Sequence, residues 1–253
     1  YALIPLFVAG VFFVLLAPVF WLNWEIPKDG LQVHAQAPAD LYDRVYPSFH
    51  YGFSRLESGE LPLWNPMPWC GTPFLANPAT GMFQPLNLVF LILRTEQALA
   101  VQGFLSLFLM GWFFVIFARS LDVRFTAALT GGIGYAFGGA AAASLAQPEI
   151  LAALVWAPLL LWTIREFGRE GRWVFAVMGG AVAALMTLSG SVPVCVAMMA
   201  LVFPYAVYWL LLGGGTFLKR GLGLLFMPVL AGLLSAIQWV PTLAWMMHLD
   251  NPM

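Results

Sequence analysis

Apolar residues along this chain come in long blocks. An apolar stretch of about 20 residues crosses the hydrocarbon core of a bilayer as a helix. Candidate blocks run from Ala2 to Trp24, Leu99 to Ala118, Phe125 to Leu145, Ile150 to Ile164, Trp173 to Leu188, Val192 to Leu212 and Leu222 to Met247. The fourth and fifth are short, and tilting or local thinning of the bilayer accommodates such segments. The first is too long and too aromatic for a signal-peptide core, and no small-residue cleavage site follows it. Backbone groups in lipid must be satisfied within the segment, which favours helices. The short alternating strands of an outer-membrane barrel are absent from the sequence. The pattern predicts an all-α polytopic membrane protein, one transmembrane domain over residues 1–253 with about seven transmembrane helices.

A long outer loop, residues 25–95, separates the first two blocks. It is polar and proline-rich from Glu25 to about Met82, then carries a short apolar piece, Pro85 to Leu93, too short to span. Lys and Arg set the orientation. With the N-terminus cytoplasmic, the cytoplasmic loops hold Arg119 and Arg124, then Arg165, Arg169 and Arg172, then Lys219 and Arg220. The opposite short loops, 146–149 and 189–191, hold none, so the long loop faces outward. It carries Lys28, Arg44, Arg55 and Arg94, but long loops count little in this rule. Pro148 and Pro193 mark helix starts, while Pro204, Pro228 and Pro241 fall where they would kink helices. Gly134 and Gly138 form a small-xxx-small pair suited to a close helix crossing, either as plain packing or beside a substrate groove.

Within the loop, Leu41, Val45, Phe49, Phe53 and Leu56 recur at three or four residues and make one helical face. Arg44, Ser48, Tyr51 and Arg55 make another. Pro47 fits such a helix in its first turn, and Gly59 ends it. A helix of this kind lies parallel to the membrane, apolar face down. Asp40 falls just before or at its start, where a carboxylate can cap free N–H groups. Prolines and glycines from Gly59 to Asn87 make a rigid, non-repetitive loop, and Trp64, Trp69, Phe74 and Phe83 suit a membrane interface. Asn65, Asn77 and Asn87 could bond sugar hydroxyls or satisfy turn backbone.

Composition agrees with a membrane protein: 61% of residues are hydrophobic and 9% charged, against about 25% charged in soluble domains. A net charge of −1 gives no basic footprint for nucleic acid. Cys70 and Cys195 lack partners at metal-ligand spacing and read as structural. His34, His50 and His248 form no ligand set by spacing, and all three fall on or near the outer side. The chain begins at Tyr1 and ends directly after an apolar block, so a piece of a longer protein is expected.

Asp40-Leu41, Tyr46-Pro47, the run from Gly59 to Pro66 (GELPLWNP), Gly71-Thr72-Pro73, Ala76-Asn77 and Gln84-Pro85-Leu86-Asn87 together resemble the first outer loop of the YfhO-like bacterial membrane proteins. These are similar to the GT-C class of polytopic glycosyltransferases, which take sugars from polyprenyl-phosphate carriers. The resemblance is dense from about Asp40 to Asn87 and continues weakly to Gln238-Trp239-Val240-Pro241-Thr242. It implies that Asp40 is the catalytic base, since family members carry an acid near the start of a membrane-parallel helix. It also implies a second acid in the second outer loop, where Glu149 is the acid available. Glu149 equally suits a helix N-terminus just after Pro148. Where the family often shows a Gly-His-Pro-like turn, this chain has Ser189-Gly190-Ser191-Val192-Pro193.

Attack of an acceptor hydroxyl on a sugar carbon needs a base for its proton. A lipid-phosphate leaving group needs donors, which Arg44, His50 and Arg55 could supply. Asp40 and Asp43, three residues apart, could hold a divalent metal or raise one carboxyl pKa. The expected activity is transfer of a sugar from a lipid-linked donor to an acceptor at the outer face of a bacterial inner membrane. The expected site comprises Asp40 and Glu149, with Asp43, Arg44, His50, Arg55, Asn65 and Asn77 on substrate. The competing expectation is a non-catalytic membrane subunit or lipid-binding scaffold of a larger complex. A transporter fits less well, because the helix interiors hold essentially no charge.

Overall fold

The computed structural model describes residues 41–214 and 216–249. The Ala2–Trp24 block, Lys28, His34 and Asp40 lie outside the described residues. Helix α1 (Tyr46–Glu57) follows one π-helical turn at Leu41–Val45. Then come two short strands, β1 (Trp64–Asn65) and β2 (Thr72–Pro73), and 3-10 turns at Pro68–Cys70, Pro78–Thr80 and Pro85–Leu91. The remaining helices are α2 (Thr95–Ser120), α3 (Phe125–Ala136), α4 (Gly139–Ala143), α5 (Pro148–Glu170), α6 (Trp173–Thr187), α7 (Val192–Leu212), α8 (Phe217–Leu234) and α9 (Ala236–Leu249). Four of them, α2, α5, α7 and α8, are long and apolar enough to cross a membrane, and α6 is a shorter apolar helix.

Helix α5 is the centre of the bundle. Its most apolar window is 78% buried, against 11% for that of α7. Helices α2, α6 and α7 pack around it, and α8 packs mainly on α6. Leu151, Val155 and Phe167 of α5 and Met186 of α6 are almost fully enclosed. Apolar residues gain little by leaving lipid for one another, so close fit has to hold such helices together. Small residues provide it. A Cβ at Gly132 on α3 would lie 2.9 Å from the Gly111 carbonyl of α2, and one at Gly180 on α6 would lie 2.8 Å from Leu230 of α8. Among the described residues the predicted Gly134–Gly138 crossing does not form: none of them approaches Gly134, and Gly138 sits in the break between α3 and α4.

Two predicted spans are interrupted. Phe125–Leu145 breaks at Phe137-Gly138, and Leu222–Met247 breaks at Ser235. Pro148 and Pro193 start their helices as expected, and Pro204, Pro228 and Pro241 lie inside theirs, as does Pro158.

The segment that precedes α2 folds on its own small core. Val45, Phe49, Phe53, Phe74, Met82, Phe90 and Ala98 form one buried cluster. The rings of Phe49 and Phe53 stack on Phe90 at 4.7 and 5.1 Å. Each such pair contributes about 0.5–1.5 kcal/mol beyond burial. The apolar face of α1, expected to lie on lipid, is therefore covered by protein. Pro47 sits in the first turn of α1, and Gly59 follows it at φ +76, a left-handed conformation that suits glycine.

Hydrogen bonds from α9 and a close turn contact help to hold this segment on the bundle. Gln238 Nε2 of α9 donates to the Leu75 carbonyl at 2.9 Å, and Thr242 Oγ1 is 2.8 Å from the carbonyls of both Ala76 and Gln238. The turn at Ser189–Ser191 meets the Pro78–Thr80 turn, where a Cβ on Gly190 (φ +94) would run into the Pro78 carbonyl. Thr242→Val keeps the shape and removes the donor facing Ala76. It should destabilise the fold by about 1–3 kcal/mol, read as a lower midpoint in detergent thermal unfolding, while Leu243→Val on the exposed face leaves the midpoint unchanged.

Candidate functional site

Helix α1 and the π-helical turn before it place their polar residues on two flanks of the buried Val45–Phe49–Phe53 spine. Arg44, Ser48 and Tyr51 look onto one cleft, and Tyr46, His50 and Ser54 onto another. The first cleft has a volume of about 880 Å³. Its walls are α1, the β1–β2 hairpin, the Pro78 turn and the Thr242–Trp245–Met246 face of α9. Phe74, Met67, Pro73, Trp245 and Met246 make it largely apolar, while Asp43 and Arg44 give it one charged edge. Tyr51 braces the wall: its hydroxyl donates to the Trp64 carbonyl at 2.7 Å and its ring meets Phe74 edge-on at 5.4 Å.

Arg44 connects this cleft to the central helix. Its Nη2 donates to Glu149 Oε1 at 2.6 Å, joining positions 105 apart in sequence. Glu149 lies in the first turn of α5 directly after Pro148 and is 8% exposed. The helix N-terminus reading of Glu149 fits this position: the carboxylate meets the positive end of the helix dipole, and it also faces Arg44. Its Oε2 is buried and makes no hydrogen bond among the described residues.

The other predicted site residues divide clearly. Asp43 lines the cleft and is exposed. Asn65 and Asn77 also line it, but the side-chain oxygen of Asn65 accepts from the Met67 amide at 3.0 Å and that of Asn77 from the Ala79 amide at 3.1 Å. Both therefore shape turns. Arg55 pairs with Glu60 at 2.8 Å, both side chains exposed, outside the cleft lining. His50 belongs to the second cleft, of about 400 Å³, where its Nδ1 lies 3.1 Å from Thr95 Oγ1 and its ring stacks 6.0 Å from Tyr46. Asp40 lies outside the described residues. Among those residues no group of three or more His, Cys, Asp or Glu side chains could hold a metal. Thr242, Trp245 and Met246 were not anticipated as cleft residues. The polar pair Gln238 and Thr242, four apart in an apolar segment, is the signal that marks this face of α9.

In the second cleft Tyr46 donates to Glu96 Oε1 at 2.6 Å, and this bond, helped by burial, pushes the phenol up to about 12.

No protein-family model, curated protein or solved structure matches the chain.

Two outcomes follow from this geometry. In a double-mutant cycle, Arg44→Gln and Glu149→Gln should each destabilise by about 1–3 kcal/mol and together by less than their sum, because either change already breaks the pair; additive losses in thermal unfolding contradict a coupled pair. The raised phenol pKa of Tyr46 contributes stability that is present below its ordinary value of 10.0 and is lost as pH rises toward about 12. Tyr46→Phe should therefore flatten the alkaline arm of the stability–pH profile over that window; an unchanged slope contradicts it.

Proposed function

We propose that the chain is a membrane glycosyltransferase of GT-C type, using the cleft between α1 and α9. The donor is a sugar on a polyprenyl phosphate and the acceptor carries a free hydroxyl. The observation that carries this reading is the Arg44–Glu149 pair at the charged edge of a largely apolar cleft. An amphiphile with an anionic head fits that layout: isoprenoid chain along Phe74, Trp245 and Met246, phosphate toward Arg44.

The reaction would be a single inverting displacement. The acceptor oxygen bonds to the anomeric carbon as the bond from that carbon to the phosphate oxygen breaks. The electron pair leaves on the phosphate, next to Arg44, and the acceptor proton passes to the Asp40 carboxylate. Asp40 carries this role by family resemblance. Glu149 holds Arg44 in place through the 2.6 Å bond. The site would face the outer side of a bacterial inner membrane, with the short basic loops in the cytoplasm.

A second reading, a non-catalytic lipid-binding subunit, is favoured by the use of Asn65 and Asn77 oxygens in turns and of Arg55 in a surface pair. Turnover of a radiolabelled polyprenyl-phosphate sugar by the reconstituted protein separates the two. The enzyme reading expects Asp40→Asn to fold normally and to lose about 10²–10⁴-fold in rate. Binding of the donor without transfer by the parent chain would leave the subunit reading standing.

A further inference from the structure

The end of the bundle opposite the cleft collects the short basic loops, and two of its arginines are buried. Arg165, near the end of α5, pairs through Nη1 with Glu166 Oε1 at 2.7 Å and lies 5.9 Å over the ring of Trp209. The carboxylates there are already engaged: Glu166 also faces Arg169 at 3.7 Å, and Glu170 faces Arg169 and Arg172 at 3.6 and 3.5 Å. Arg220 is different. It is 7% exposed, and among the described residues no carboxylate lies within 4.0 Å of it. Its Nη1 donates to the Trp209 carbonyl at 3.2 Å, and among the described residues its Nε has no hydrogen-bond partner, nor does that of Arg165.

A buried cation without a counter-charge is costly, because a single carbonyl dipole replaces little of the hydration that is lost. The position of Arg220 adds to this. It lies in the opening turns of α8, at the positive end of that helix dipole, where a cation is disfavoured and an anion favoured. Thr216, the residue that precedes α8, makes no side-chain cap, so the first N–H groups of the helix have no side-chain acceptor from it. Buried guanidinium, unused N–H groups and helix N-terminus call for the same partner, a compact multi-oxygen anion.

We propose that the α5–α7–α8 end of the bundle binds a phosphate group, held by Arg220, which shares Trp209 with Arg165, at a site separate from the cleft between α1 and α9. The phosphate could belong to an anionic lipid headgroup of the adjacent leaflet or to a soluble phosphate compound, and both present the same oxygens to Arg220.

The test uses the full chain in dodecyl maltoside micelles, which contain no phosphate, and reads the unfolding midpoint during titration with phosphatidylglycerol or, separately, inorganic phosphate against chloride at equal ionic strength. A saturable rise with phosphatidylglycerol alone assigns a lipid headgroup, and a rise with inorganic phosphate assigns a soluble ligand; either supports the site. Arg220→Gln should weaken the apparent affinity about tenfold, with Arg220→Lys in between. No rise with either probe beyond chloride overturns the proposal. So does an Arg220→Gln protein that responds as the parent does. If Arg220→Gln does not fold, the parent and Arg220→Lys titrations decide alone.

Discussion

Helix α5 is enclosed by protein over most of its length, so polar groups at its ends need partners. At one end the buried Glu149 takes Arg44 from the segment before the bundle. At the other, the buried Glu166 takes Arg165 and Arg169 of the same helix. Removing one partner of a buried pair is more costly than never having had the pair. The central helix is therefore tied to the segment that carries α1 through a 2.6 Å contact, and that contact sets the charged edge of the cleft. The remaining walls are positioned by Gln238 and Thr242 of α9, which hold the loop by its backbone.

Two kinds of packing meet at this junction. In the bundle, glycines bring helices close enough for contact, because apolar side chains have little preference for one another over lipid. In the outer segment, the stacked Phe49, Phe53 and Phe90 with Met82 and Phe74 form a core of the water-soluble kind. The cleft lies at the junction of the two, between an aromatic-cored cap and an apolar helix face. Such a cleft has an apolar wall and a charged edge within reach of each other, the layout on which the proposed transfer rests.

Much of this was legible in the sequence because it depends on local spacing. The three-and-four repeat of Val45, Phe49 and Phe53 identified α1 and its buried face, and proline and glycine marked its ends. The apolar blocks located α2, α5 and α7. What the sequence did not disclose depends on contacts between distant positions. The face of α1 read as lipid-facing is covered by Phe74, Met82 and Phe90, residues about 20 to 45 positions further on. The break at Ser235 follows from no apolar count, yet it separates a long apolar helix from the one that holds the loop. The Gly134–Gly138 spacing pointed to a crossing that Gly132 makes instead, since spacing does not say which helical face a neighbour meets. Of the residues expected at a site, Asp43 and Arg44 line the cleft and Glu149 bonds Arg44 beside it, while Arg55 and His50 lie outside its lining, because neither charge nor helical spacing says which partner a side chain meets.

The cleft is the centre of the functional reading, and occupancy by a lipid phosphate tests it most directly. A polyprenyl phosphate carrying a photoreactive group near its head would be crosslinked to the full chain in a bilayer and the labelled peptides mapped by mass spectrometry. The account predicts label within residues 43–51 and 242–246, competed away by unlabelled donor and reduced by Arg44→Gln. Label confined to the exposed apolar faces of α7 and α8, with none in those two segments, would contradict it.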